Sequence, residues 1–75
     1  MRWKDHIVAD PDVLVGKPVV KGTRISVELI LQLKARGATD SEILEGYPRL
    51  TADSIRACMA YAAEPAKSRL RAWSR

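Results

Sequence analysis

The feature that most constrains this chain is a change of hydrophobic period at Ser26. Before that residue, turn-forming positions recur in quick succession: Asp10-Pro11-Asp12, Gly16-Lys17-Pro18 and Lys21-Gly22. Glycine supplies positive φ and proline fixes φ, so these clusters divide the segment into short pieces. The pieces between them, Ile7-Val8, Val13-Leu14-Val15, Val19-Val20 and Arg24-Ile25, are β-branched and read as brief extended segments. A small β-hairpin over residues 1–25 is the expectation. A lone hairpin is marginal in water, so it must pack on something or pair with a second chain.

From Ser26 onward the apolar spacing is helical. Ser26 is a good N-cap, and Ile25 and Ile30 are placed to form a hydrophobic staple across it. Val27, Ile30 and Leu31 form a stripe that Leu29 and Leu33 widen, and Gly37 stands where a left-handed cap ends the helix. Thr39-Asp40-Ser41-Glu42 is a capping box for a second, short helix with Ile43, Leu44 and Tyr47 inward, stopped at Pro48. Thr51 caps a third helix, with Leu50 and Ile55 as its staple. Ile55, Cys58, Met59 and Ala62 are expected to be its apolar face. Ala57, Ala60 and Ala63 keep this helix slim, so that another can approach closely. The domain expected is mainly α with a short N-terminal β-hairpin: residues 1–64 as one hairpin-plus-trihelical unit, three helices over 26–64, and a tail over 65–75. The second and third helices, joined through Tyr47-Pro48-Arg49-Leu50, have helix-turn-helix proportions.

Seventy-five residues hold one domain and a small core, and self-association would bury more surface. A homodimer is therefore expected. The single cysteine, Cys58, excludes an internal disulfide framework and a multi-Cys zinc site. Neither a signal-peptide run nor an apolar stretch of membrane-spanning length is present, which makes a reducing cytoplasm the simplest address. Charge is unevenly placed. Residues 1–37 carry net +3, residues 38–64 net −3, and residues 65–75 net +4 with no acid. Basic ends around an acidic middle suggest an anionic partner for the ends, against the plainer reading of a solvated surface and a frayed terminus.

The sites of chemistry are few. Gly16-Lys17-Pro18 through Arg24 is not a phosphate loop of the Walker kind, because Lys precedes the second Gly. One reading makes it a turn that aims Arg24 at Asp10 or Asp12. The other makes Lys17, Lys21 and Arg24 a basic ridge against a phosphate backbone, doubled in a dimer. His6, Asp10 and Asp12 are a poor metal set, and Asp before Pro more often starts an Asx turn. The sole histidine has no recognisable nucleophile partner, and Cys58 reads as a small core residue. The chain is expected not to be an enzyme and to need no cofactor or metal.

The succession His6-Ile7, Asp10-Pro11, Gly16-Lys17-Pro18-Val19-Val20-Lys21-Gly22-Thr23-Arg24-Ile25 and Val27, followed by Tyr47-Pro48-Arg49-Leu50-Thr51 and an Ala-rich helix ending in Tyr61, resembles the family known as domain of unknown function 433. The resemblance covers about residues 6–64, and its Gly-Lys-Pro-x-x-x-Gly-Thr-Arg run is specific. It implies a trihelical, homeodomain-like or winged-helix-like fold. It also implies the role of a small antitoxin of VapB-like type, often paired with a PIN-like ribonuclease toxin.

Two segments could carry such a role. A recognition helix puts its N-terminal side chains on base edges, and here that end offers Thr51, Asp53 and Arg56, with Arg49 in the turn. Asp53, Glu42 and Glu45 would repel phosphates, so packing alone is the other reading of the helix pair; DNA contact is expected from Lys17, Lys21, Arg24, Arg49, Thr51 and Arg56 acting in a dimer. The tail offers Arg69, Leu70, Arg71, Trp73 and Arg75 as a toxin-binding anchor, since Trp and Arg are enriched among interface hot spots. A guanidinium placed among a nuclease's metal-binding carboxylates would replace the metal's charge with bidentate hydrogen bonds. DNA-phosphate contact by the same arginines and plain disorder are the rival readings. The function expected is therefore an antitoxin that neutralises a PIN-like ribonuclease and binds its own promoter. A stand-alone helix-turn-helix regulator and a non-DNA-binding adaptor are the alternatives.

Overall fold

The structure, a computed structural model, describes residues 2–65. Three helices form: α1 over Val27–Ala35, α2 over Asp40–Gly46 and α3 over Ala52–Ala63. A two-stranded antiparallel sheet, β1 over Ile7–Val8 and β2 over Val19–Val20, precedes them. Among the described residues no helix is long and apolar enough to cross a membrane.

Each helix starts where its side-chain cap is. Ser26 Oγ accepts from the Leu29 N–H at 3.0 Å, satisfying one of the orphan donors of the first turn. At α2 the capping box is reciprocal: the Glu42 N–H donates to Thr39 Oγ1 at 3.2 Å, and the Thr39 N–H donates to Glu42 Oε1 at 2.8 Å. That Thr39 N–H, followed by the Thr39 hydroxyl, holds the Glu42 carboxyl below its usual range. Thr51 makes the equivalent box with Ser54 at α3. Helix α1 ends in a Schellman motif. Gly37, at φ +93°, donates to the Lys34 carbonyl, and Ala38 donates to the Leu33 carbonyl.

The hairpin packs on the helices of its own chain. The Ile7↔Val20 pair faces a core made with Val27, Ile30, Ile43, Leu50, Ile55, Ala57 and Cys58. Ile30, with no exposed surface, contributes about 1.5–3 kcal/mol from removal of its side chain from water. Side chains alternate along a strand, so the second pair, Val8↔Val19, projects from the opposite face, where Val19 is still buried at 1% exposure and Val8 is half-buried. The 25–27 stretch extends the sheet edge: the Val20 N–H donates to the Ile25 carbonyl, and the Val27 N–H donates to the Pro18 carbonyl.

Three expectations are revised. The Val13-Leu14-Val15 piece is not extended: Leu14, Val15 and Gly16 take φ of 50°, 55° and 79°, a left-handed turn that leaves Val15 95% exposed. With Pro11 and Pro18 on either side and Val19 held in β2, the loop closes by bending here. The buried face of α3 is Ser54, Ile55, Ala57 and Cys58, with Tyr61 partly buried, whereas Met59 and Ala62 are exposed. In this orientation α3 packs on α1, α2 and β1, and Tyr61 meets the ring of Trp3 edge-on, centroids 5.0 Å apart. Trp3 itself, in a 3₁₀ turn over Trp3–Asp5, is a core residue at 6% exposure that the sequence pattern did not single out. Of the slim alanines, Ala57 is fully buried, Ala60 half-buried and Ala63 exposed.

Candidate functional site

The outward face of the hairpin leads to a groove of about 430 Å³. The half-buried Val8 and Val13 line it with the fully buried Val19 behind them, and Arg24, Arg49 and Asp10 also line it. Arg24 is placed by a tight turn. The Thr23 N–H donates to the Val20 carbonyl at 3.0 Å, and the Thr23 hydroxyl donates to the same carbonyl at 2.8 Å while accepting from the Ile25 N–H. Gly22, at φ +80°, is required there by backbone conformation: a Cβ would meet nothing within 4 Å but would be strained. Arg49 comes from the α2–α3 link, where the Leu50 N–H donates to the Tyr47 carbonyl and closes the turn.

Arg24 is not aimed at a carboxylate. Among the described residues the ion pairs are Lys34–Asp40 at 2.6 Å and Arg56–Asp53 at 3.4 Å, and neither involves Arg24 or Arg49. Asp10 instead starts an Asx turn, with Oδ1 accepting from the Asp12 N–H at 2.9 Å. The physical reason lies in that turn: its hydrogen bond holds the Asp10 side chain against its own backbone. Two exposed guanidiniums from loops 25 positions apart thus share one concavity. Each presents planar N–H donors suited to phosphate or carboxylate oxygens.

The other candidates divide. Lys17 and Lys21 are exposed on the hairpin but do not line the groove. Arg56 is exposed and bridges to Asp53, a weak pair at this exposure. The Thr51 hydroxyl accepts from the Ser54 N–H and shares a further hydrogen bond with Ser54 Oγ, so it serves as a helix cap. Arg69, Leu70, Arg71, Trp73 and Arg75 lie outside the described residues. Cys58 is buried, and burial pushes its thiol up to about 11, which suits a core residue and not a nucleophile. The meeting of Arg24 with Arg49 carries no short-range signal in the sequence, because a hairpin turn and an interhelical link come together only through the tertiary fold.

A crystal structure of a DUF433 member protein from Anabaena variabilis is similar in fold, with a TM-score of 0.77 and 29% identity. The match covers 96% of this chain and 71% of that one. An uncharacterized protein of Sinorhizobium fredii, y4eO, is 38% identical over 69 residues. That alignment takes in 91% of this chain, which spans only 31% of the length of that relative. The sequence pattern of the family described as "Protein of unknown function (DUF433)" matches residues 7–62. Family match, relative and solved structure all cover most of the chain, and the chain belongs to the DUF433 family.

Proposed function

We propose that this domain is the DNA-contacting antitoxin of a toxin–antitoxin pair, acting as a cytoplasmic homodimer and not as an enzyme. The observation that carries the DNA part is the Arg24–Arg49 groove, whose two guanidiniums have no ion-pair partner among the described residues. Phosphate contacts of this kind position a protein on a duplex and make its affinity steeply salt-dependent. Lys17 and Lys21 add charge on the same hairpin, and a dimer would present the set twice. Arg56 and Thr51 are minor contributors, since each is engaged within α3.

The protein target is a PIN-like ribonuclease, an assignment that comes from the family resemblance. The tail would reach it, with Trp73 as the apolar anchor and Arg71 placed among metal-binding carboxylates. No cofactor or metal takes part on this chain.

Two measurements test the reading. The binding of duplex DNA from the chain's own upstream region is followed against salt concentration. Arg24→Ala and Arg49→Ala should each reduce the log–log salt slope by about one phosphate contact. An unchanged slope removes the groove from DNA binding. Separately, Trp73→Ala and Arg71→Ala are introduced in the full chain, co-expressed with a PIN-like ribonuclease that the native chain inhibits. Loss of inhibition with folding intact supports the antitoxin role, and full inhibition by both variants rejects it. A regulator without a toxin is the second reading, favoured by the relative about three times as long, in which this domain is one part of a larger chain.

A further inference from the structure

A second groove, of about 400 Å³, lies between α1 and the end of α3. Val27, Leu31 and Ala35 of α1 and Tyr61 of α3 make its apolar walls, with Glu28 and Gln32 on its rim. Glu28 is exposed and forms no ion pair among the described residues. Nothing in the proposed DNA contact uses this face.

We propose that this groove is the seat of the chain's own segment 66–75, held by Leu70 and Trp73 in the groove and by the segment's basic side chains on Glu28. Three observations converge. Tyr61, one wall of the groove, stands four residues before Pro65, so the segment starts beside the site. Trp73 is eight residues beyond Pro65, a reach of up to about 26 Å in extended chain, which far exceeds what a groove at the end of α3 demands. The chemistries also match: the segment joins two large apolar side chains with four cations and no acid, and the groove joins apolar walls with a carboxylate that forms no ion pair among the described residues. The seating is a property of the free chain and stands whether or not the same side chains also meet a toxin. If they do, the groove and the toxin compete for Trp73.

The experiment is ¹⁹F NMR of the full chain labelled with 5-fluorotryptophan, which gives one resonance for Trp3 and one for Trp73, assigned through Trp73→Phe. The variant is Ala35→Lys. Ala35 is exposed in the last turn of α1, where lysine is a good helix former and favourable to the helix dipole, so the fold should be retained. The bulk and charge of lysine there would block the groove and repel the basic segment. The expected result is a Trp73 resonance displaced from the solvent-exposed position in the native chain, and returned to it in Ala35→Lys, with Trp3 unmoved. Glu28→Lys should move it in the same direction by a smaller amount. A Trp73 resonance at the solvent-exposed position in the native chain overturns the proposal, as does a displaced one that neither variant alters. A displacement that grows with protein concentration overturns the intrachain seating, because the segment is then bound by a second copy.

Discussion

The two halves of the molecule reach their structures by different routes. Helices α1, α2 and α3 are each announced by a cap within a few residues of their start: Ser26, Thr39 with Glu42, and Thr51 with Ser54. The N-terminal half has no comparable local commitment. Its strands are two residues each, its loop adopts left-handed φ at a leucine and a valine, and its anchor is a tryptophan held by a tyrosine of α3. The lesson is that local signals suffice where hydrogen bonds close within four residues, and that a minimal hairpin depends on what it packs against.

The strongest way to break this comparison is Trp3→Ala. If the hairpin half is held by tertiary contact, removing the ring from beneath Tyr61 should cost about 3–5 kcal/mol, comparable to a central core deletion. Chemical denaturation measures it, and a loss below about 1 kcal/mol would show the N-terminal turn to be an ornament on an autonomous three-helix unit. Next comes Thr39→Ala, which removes one arm of the α2 capping box and should cost about 1 kcal/mol.

The same cap has a pH signature. The folded Glu42 carboxyl titrates below its unfolded value of 4.5, so its contribution is present above that value and is lost as pH falls through the folded pKa. Melting temperatures of the native chain and of Glu42→Gln, which cannot ionise, should therefore converge on acidification. A gap that is independent of pH would assign the cap to the threonine hydroxyl alone.

Val15→Gly works in the opposite direction. A valine at φ 55° and ψ 39° opposes its own sterics, so glycine should raise stability by up to about 1 kcal/mol after its greater unfolded-state entropy is offset. Destabilisation in a thermal melt would mean that the exposed valine is held by contacts the free chain supplies. The smallest effect is expected at Lys34–Asp40, an ion pair between half-exposed side chains. Lys34→Met should cost less than about 1 kcal/mol, and the loss should shrink in high salt.

The helical register of α3 shows where sequence pattern stops short. Ile55 and Cys58 are on the buried face as their spacing suggests, but Ala57 and Tyr61 complete it in place of Met59 and Ala62. An apolar stripe wider than the core allows several rotations of the helix, and its packing against α1, α2, β1 and Trp3 selects one. The groove site behaves similarly. The residues that form it were individually visible, since Arg24 lies in the specific glycine-flanked run and Arg49 in the interhelical turn. Their partnership was not visible, and the expectation that Arg24 meets Asp10 or Asp12 failed because Asp10 is engaged with the Asp12 amide.

By itself, the sequence determined the number of helices, their starts and the glycine stop at Gly37, because each depends on hydrogen bonds and backbone preferences among near neighbours; it marked the short hairpin only by its turn residues. Tertiary structure decided which face of α3 is buried, that Trp3 belongs to the core, and that the two cross-strand pairs of the hairpin serve different surfaces. One pair packs on the helices and the other lines the groove between Arg24 and Arg49. Those outcomes depend on side chains brought together from opposite ends of the chain, and apolar burial, being non-directional, assigns them only when every element is in place.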